Sequence, residues 1–387
     1  MLRFAARNLR FAAAVASEKT YAMKFDDVVL AGIGVTIPET RVTSEDIESQ
    51  LAPLYERLRL PEGRLALMSG IESRRVWAEG TVPSGPSIRS GQSILRHLEF
   101  PIDQVRCLIH ASVCRDFLEP ATASRVHHEL GLPADGWVYD VSNACLGVLN
   151  GAVQIATMVQ AGMIRAGLVV GTENSRPLLT GTIAALNRDT SLTRRTVKPA
   201  FASLTIGSGS CAWLVCHRDL CPTGSPIGSA IAVANTRYHE LCRSDQDTAG
   251  AGMMPLMETD SEELMTQGIA TGVSALESLL TVASWSRAEI DRSVCHQVGI
   301  RHRAAMLEAM RLPIERDVVT FPALGNTGSV ALPLTVAAAV ARNQLSEGDR
   351  VALLGIGSGI NSVMIGSRWG RTEVAGDWSG LLEELAR

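Results

Sequence analysis

The chain has 387 residues, of which 46 % are hydrophobic, 20 % charged and 4 % aromatic, with a formal net charge of −4. That balance excludes a disordered chain, supplies no basic field for nucleic acid, and gives length enough for two domains or one large duplicated one. The 8 cysteines are scattered without the CxxC or CxxH spacing of a zinc site or the density of a disulfide scaffold, which suits a reducing cytoplasm.

Residues 1–22 hold Arg3, Arg7 and Arg10 with no acid before Glu18. They resemble an amphipathic targeting segment, and more simply an unstructured extension ahead of Met23. Apolar runs bounded by Gly or polar residues predict strands at Val28–Val35, Cys107–Val113, Gly167–Thr172, Ile206–Cys216, Ile227–Ala234, Val294–Val298 and Val351–Ile356. Helices are expected between them over Thr43–Arg59, Pro86–Leu98, Ala121–Leu130, Leu146–Ala161, Met265–Val282, Ala304–Met310 and Val330–Arg342. Residues 141–164 carry no charge and are long enough for a membrane helix. Asn143, Asn150, Gln154, Gln160 and several glycines interrupt the run, so it reads as a buried helix of a soluble protein.

Two segments look alike: "NACLGVLNGAVQIATMVQAGMIRAGLVVGTEN" and "GNTGSVALPLTVAAAVARNQLSEGDRVALLGIGSG". Each opens on Asn and small residues, continues through an almost wholly apolar helix, turns, and ends in a strand closed by glycine. A helix apolar all round must be buried on every side, so the two are expected as paired central helices between sheets. "CLIHASV" ahead of the first has a counterpart in "SVCHQVG" ahead of the second. The chain therefore divides into an extension over 1–22, a half over 23–220 and a half over 221–387.

In such a duplicate, Cys145 and Asn326 stand at facing helix starts, with the strand end at His296 beside them. A cysteine ahead of a helix feels its positive end, which lowers a thiol pKa and suits attack on a thioester. The glycine-rich turn "GIGSG", with Gly357 and Ser358, can supply backbone N–H groups to the developing oxyanion. His296 and Asn326 can both donate to the oxygen of a second thioester as it becomes an enolate. Taken singly, each has an ordinary explanation: a core thiol, a structural strand end and a turn former. "GIGSG" lacks the GxGxxG spacing of a dinucleotide site.

"NACLGVLNG", "HQVGIRH", "GNTGSVALP" and "LLGIGSGIN" resemble, in order and spacing, the Cys-His-Asn signatures of the thiolase superfamily, in its ketoacyl synthase III branch. The resemblance covers roughly Met23 to Ser367. It implies an α/β fold of five layers, αβαβα, internally duplicated, a homodimer, and condensation of acyl thioesters. "SVCRDFLEPATAS", residues 112–124, looks like the OleA-type enzymes of olefin and β-lactone biosynthesis. There a glutamate reaches across the dimer as the base, which here would be Glu119. Without decarboxylation something must remove an α proton, and a carboxylate in an apolar channel has the raised basicity required. The plainer alternatives for Glu119 are a helix-entry carboxylate or a salt bridge to Arg115.

The resemblance thus implies a non-decarboxylative Claisen condensation of two fatty acyl-CoA thioesters through an acyl group on Cys145. It needs no metal or redox cofactor, and enzymes of the same pathway are further partners. One alternative is a decarboxylative synthase using malonyl-ACP, and another is an inactive thiolase-fold partner subunit. Met253 and Met254 are candidates to line an alkyl channel, and Arg194 and Arg195 to attract CoA phosphates. Where the family often carries an acid in "LTIGSGSCAWLV", this chain has Ser208 or Ser210.

Overall fold

The computed structural model describes residues 23–244 and 257–386. The extension over 1–22, together with Met253 and Met254, lies outside the described residues.

Two sheets share one strand order. In the first, Val28–Thr36, Gly209–His217, Ala166–Glu173, Val105–Ala111 and Trp137–Val141 lie side by side. In the second the sequence of neighbours is Ser229–Ala234, Asn361–Arg368, Arg350–Gly357 and Arg292–Cys295, followed by a parallel bridge from Ser293 to Asp317. The first two pairings of each sheet are antiparallel and the next are parallel. The two sheets therefore repeat one topology. Each also borrows an edge: Glu373–Asp377 pairs with Val28–Thr36, and Met23–Lys24 with Ser229–Ala234. A cut at residue 220 would leave each sheet short of one edge strand.

Side chains alternate along a strand, and the alternation sorts the core. Val28, Leu30, Val351 and Leu353 face the cluster between the sheets. Val29 and Ala31 face out from the first sheet, and Ala352, Leu354 and Ile356 from the second. A register shift between Leu30 and Gly32 turns Ile33 and Val35 back to the inner cluster. Helices Ser84–His97 and Thr122–Leu130 cover the outside of the first sheet, and Ser261–Ala283 and Ile300–Met310 the outside of the second. Between the sheets lie Gly147–Gln160 and Ala331–Ala341, the two charge-free helices. This is the five-layered αβαβα arrangement.

The helix expected over Thr43–Arg59 is two helices, Ser44–Gln50 and Ala52–Leu58, parted at Leu51 ahead of Pro53. With Arg64–Ser69 and Arg176–Arg188 they form a separate apolar cap that includes Leu54, Leu65, Leu179 and Phe201. Residues 141–164 are mostly the central helix Gly147–Gln160, and no helix among the described residues is long and apolar enough to cross a membrane.

Candidate active site

The starts of the two central helices meet over Gly171. A side chain there would come within 3.0 Å of both Val148 and Val330, and within 2.6 Å of the Ala111 carbonyl. Only glycine lets both helices reach the strand, and this close approach sets Cys145 opposite the turn that follows Asn326.

Cys145 sits in the one-turn helix Ala144–Leu146, just ahead of Gly147–Gln160. Ala144 takes a φ of 43, an uncommon left-handed conformation for a residue with a side chain. The turn is held from both sides. Asn143 donates to Asn150 at 2.7 Å and accepts from Asn361 at 3.2 Å, while the Leu146 N–H returns to the Asn143 carbonyl at 2.9 Å. Gly357 closes the strand against it, so near that an added Cβ would stand 3.5 Å from the Cys145 backbone nitrogen. Gly357 is thus beside the nucleophile, and Ser358, half-buried, follows it into the turn.

The thiol pKa moves opposite to the sequence expectation. Burial first, then the neighbouring Cys242 thiol and Glu173 carboxylate, push Cys145 up to about 12. The positive end of a helix is outweighed by the loss of water around the sulfur.

His296 follows strand Arg292–Cys295 and donates its backbone N–H to the Leu354 carbonyl at 3.2 Å, on the strand that ends at Gly357. Its imidazole is buried, with Nδ1 lacking a hydrogen-bond partner among the described residues. Burial, followed by repulsion from His302, pulls its pKa down to about 3, so it is neutral throughout the physiological range. Gln297 secures this strand end: its amide donates to the Cys295 carbonyl at 2.7 Å and its oxygen accepts from Thr320 at 2.9 Å. Asp317, beneath it, accepts from the Cys295 N–H at 3.1 Å and pairs with Arg303 at 2.7 Å.

Asn326 is fixed by backbone bonds to Thr205 and Gly207 at 3.0 and 2.9 Å. Its side-chain oxygen accepts the Gly328 N–H at 3.0 Å, which leaves the NH₂ group to donate outward. A half-buried thiol beside Gly357 and a neutral imidazole whose backbone bonds Leu354 thus share the strand Arg350–Gly357, and the turn Gly328–Val330 that follows Asn326 packs on the Cys145 turn. Such a set can take up an acyl group and polarise a second carbonyl.

Other expected residues fall elsewhere. Glu119 is exposed, in a loop with exposed Val113, Phe117 and Leu118, so its own subunit does not supply the apolar surroundings expected for it. The base of that loop is tied down: Ser84 donates to Asp116 at 2.8 Å, and Asp140 accepts the N–H groups of Thr122 and Ala123, each at 2.8 Å. Arg194 donates to the Leu58 carbonyl at 2.7 Å and also to that of Arg59. This bond closes a helix end, so the guanidinium expected to meet CoA phosphates has a structural use, while Arg195 is exposed beside it. Ser208 and Ser210 are buried in hydroxyl networks, Ser208 with Ser175 at 2.9 Å and Ser210 with Thr172 at 2.8 Å.

Sequence reading missed Glu173, a buried carboxylate at the end of Ala166–Glu173. The signal was present: one acid closes an eight-residue apolar strand. Such an acid reads as a solvated strand end until tertiary partners are known.

Comparison with known proteins places the chain in a family. Residues 280–369 match the model of the 3-oxoacyl-[acyl-carrier-protein] synthase III C-terminal region. The chain is 34 % identical to the acyl-CoA:acyl-CoA alkyltransferase of Shewanella oneidensis, over 90 % of this chain and 100 % of that one. To the enzyme of the same name from Xanthomonas campestris pv. campestris it is 31 % identical, with the same coverage. β-Ketoacyl-[acyl-carrier-protein] synthase III of Dinoroseobacter shibae is more distant, at 26 % over 88 % of this chain and 98 % of that one. Among solved structures, Xanthomonas campestris OleA with a histidine-to-asparagine replacement superimposes with a TM-score of 0.84 at 30 % identity, covering 90 % of this chain and 100 % of that one. A cysteine-to-serine form of that protein, with bound lauric acid and lauroyl-CoA, superimposes with a TM-score of 0.83 at 30 % identity, covering 89 % and 100 %.

Proposed function

The chain belongs to the acyl-CoA:acyl-CoA alkyltransferase family, and on that premise we propose that it joins two fatty acyl-CoA molecules head to head without decarboxylation. The observation that supports the reading is that Cys145 and His296 lie against one strand, Arg350–Gly357, with the turn after Asn326 packed against the Cys145 turn. Closer identity to the alkyltransferases than to the decarboxylating synthases supports the choice between them.

Cys145 attacks the first acyl-CoA carbonyl, and the backbone N–H groups at Cys145 and around Gly357 and Ser358 receive the oxyanion. Because the thiol is held protonated, its proton leaves with the departing CoA thiolate as free CoA. The second acyl-CoA presents its thioester oxygen to the ring N–H of His296 and the amide of Asn326. A neutral imidazole is the right partner here, since it donates without carrying a charge into the pocket. Glu119, from the partner subunit of a homodimer, removes the α proton. The resulting enolate attacks the Cys145 thioester and expels the thiolate, giving a 2-alkyl-3-ketoacyl-CoA. Water then cleaves that thioester to the β-keto acid and a second CoA. The reaction as written uses no metal or redox cofactor, and the proposal places it in the cytoplasm beside enzymes that consume β-keto acids. The exposed Val113, Phe117 and Leu118 around Glu119 support a protein surface covering that loop.

Purified protein given long-chain acyl-CoA alone tests the reading, with free CoA and acid-quenched products recorded. A joined β-keto acid, or the ketone it forms by losing carbon dioxide, is expected. Turnover only after addition of malonyl-ACP would favour the decarboxylative synthase instead, and no turnover with either would favour an inactive partner subunit.

A further inference from the structure

Glu173 has no part in the steps above, yet it is buried at the centre of the site, with a relative exposure of 5 %. One of its oxygens, Oε1, accepts three donors: the Ser329 hydroxyl at 2.6 Å, the Ser329 N–H at 3.3 Å and the Val113 N–H at 3.1 Å. Trp77 fixes its backbone by donating an indole N–H to the Glu173 carbonyl at 3.0 Å. Gly328, at a φ of 54, passes so close that an added Cβ would stand 3.1 Å from the Glu173 side chain.

These partners belong to two different segments. Ser329 and Gly328 form the turn whose Gly328 N–H holds the Asn326 side-chain oxygen. Val113 begins the loop that carries Glu119. A carboxylate oxygen has lone pairs enough for both, and its charge strengthens every bond. We propose that Glu173 is a positioning residue for the condensation step, its carboxylate holding the Asn326 turn and the Glu119 loop in one fixed relation. The inference rests on the function proposed above. In that homodimer the two segments serve different sites, so one Glu173 sets Asn326 in its own site and Glu119 in its partner's.

Both dependent residues act in enolate formation, whereas acylation of Cys145 requires neither. Loss of Glu173 should therefore separate the half-reactions. The test compares wild type with Glu173→Ala and Glu173→Gln, measuring acyl-enzyme by intact mass and joined product by mass spectrometry under the same conditions. The alanine variant, which also loses a negative charge near the Cys145 thiol, should acylate at least to the wild-type extent while condensation falls about 100-fold, the scale expected for a small misplacement of reacting groups. The glutamine variant keeps an oxygen acceptor and should recover most of that loss. Equal losses in the two half-reactions, or a glutamine variant no better than alanine, would overturn the proposal. Should the alanine variant fail to fold, Ser329→Ala, which removes the 2.6 Å donor to Glu173 together with a 3.1 Å contact to the Ala111 carbonyl, should still lower condensation about tenfold and spare acylation; equal losses there overturn it too. A wild-type protein that joins no acyl-CoA would instead count against the function, so the two failures are distinguishable.

Discussion

The side-chain oxygen of Asn326 accepts the backbone N–H of Gly328 at 3.0 Å, so the orientation of the Asn326 amide is set and its NH₂ group is the end free to donate. Aspartate at 326 would keep the bond to Gly328 but put a carboxylate where the enolate oxygen needs a donor. Asn326→Asp is expected to lower condensation about 100- to 1,000-fold, the cost of losing one oxyanion donor, and to leave Cys145 acylation standing. Matched rates of acyl-enzyme formation and product formation across the two proteins check this; an active aspartate variant would remove Asn326 from the reaction.

Glu119 lies on an exposed loop of its own subunit, and the proposed dimer delivers it to the partner's site. Glu119→Gln should acylate Cys145 and fail to condense, whereas Cys145→Ala should do neither. Mixed after subunit exchange, these two inactive proteins should regain condensation, because one site in each hybrid dimer pairs an intact Cys145 with an intact Glu119. No recovery in a verified hybrid would show that Glu119 serves its own subunit or none.

Burial holds the Cys145 thiol at a pKa of about 12, so roughly one sulfur in ten thousand is ionised at pH 8. Alkylation of Cys145 by iodoacetamide, followed on its peptide by mass spectrometry, should accelerate about tenfold for each pH unit from 7 to 10 and show no plateau. A plateau near pH 8 would restore the low thiol pKa expected from the helix end alone.

Arg303 is the cation paired with Asp317, whose side chain is fully buried. Removing one partner of a buried pair costs about 3–5 kcal/mol, and Arg303→Ala should lose stability on that scale in denaturant titration. Burial already raises the Asp317 pKa, and loss of the arginine raises it further. A carboxyl whose folded pKa lies above its unfolded value gains stability as pH falls. The variant should therefore be closer to wild type at pH 5 than at pH 8, and the reverse order would contradict the assignment.

Much of this arrangement was legible in the residues. The two charge-free helices announced a core on every side, and Cys145, His296 and Asn326 each mark the junction of an apolar element with a small-residue turn. Short edge strands were not legible. Trp137–Val141 and Glu373–Asp377 are half exposed and polar at several positions, and their pairing depends on distant neighbours. Asn361–Arg368 lies directly after the glycine-rich turn that closes Arg350–Gly357, and no further turn residue separates it from that motif. The direction of the Cys145 shift and the meaning of Glu173 were lost for one reason: both depend on how much water is excluded, and desolvation is a property of the assembled layers. The break at Leu51 is the opposite case, since Pro53 marks it in the sequence itself.

The most direct test of the central claim uses acyl-CoA labelled with carbon-13 at its carbonyl carbon, supplied as the sole substrate. Head-to-head condensation through an acyl group on Cys145 places both labelled carbons in the β-keto acid, releases two CoA per product, and leaves one label in the ketone after carbon dioxide is lost. A joined product that forms only with a malonyl thioester and carries a single labelled carbon would contradict the account.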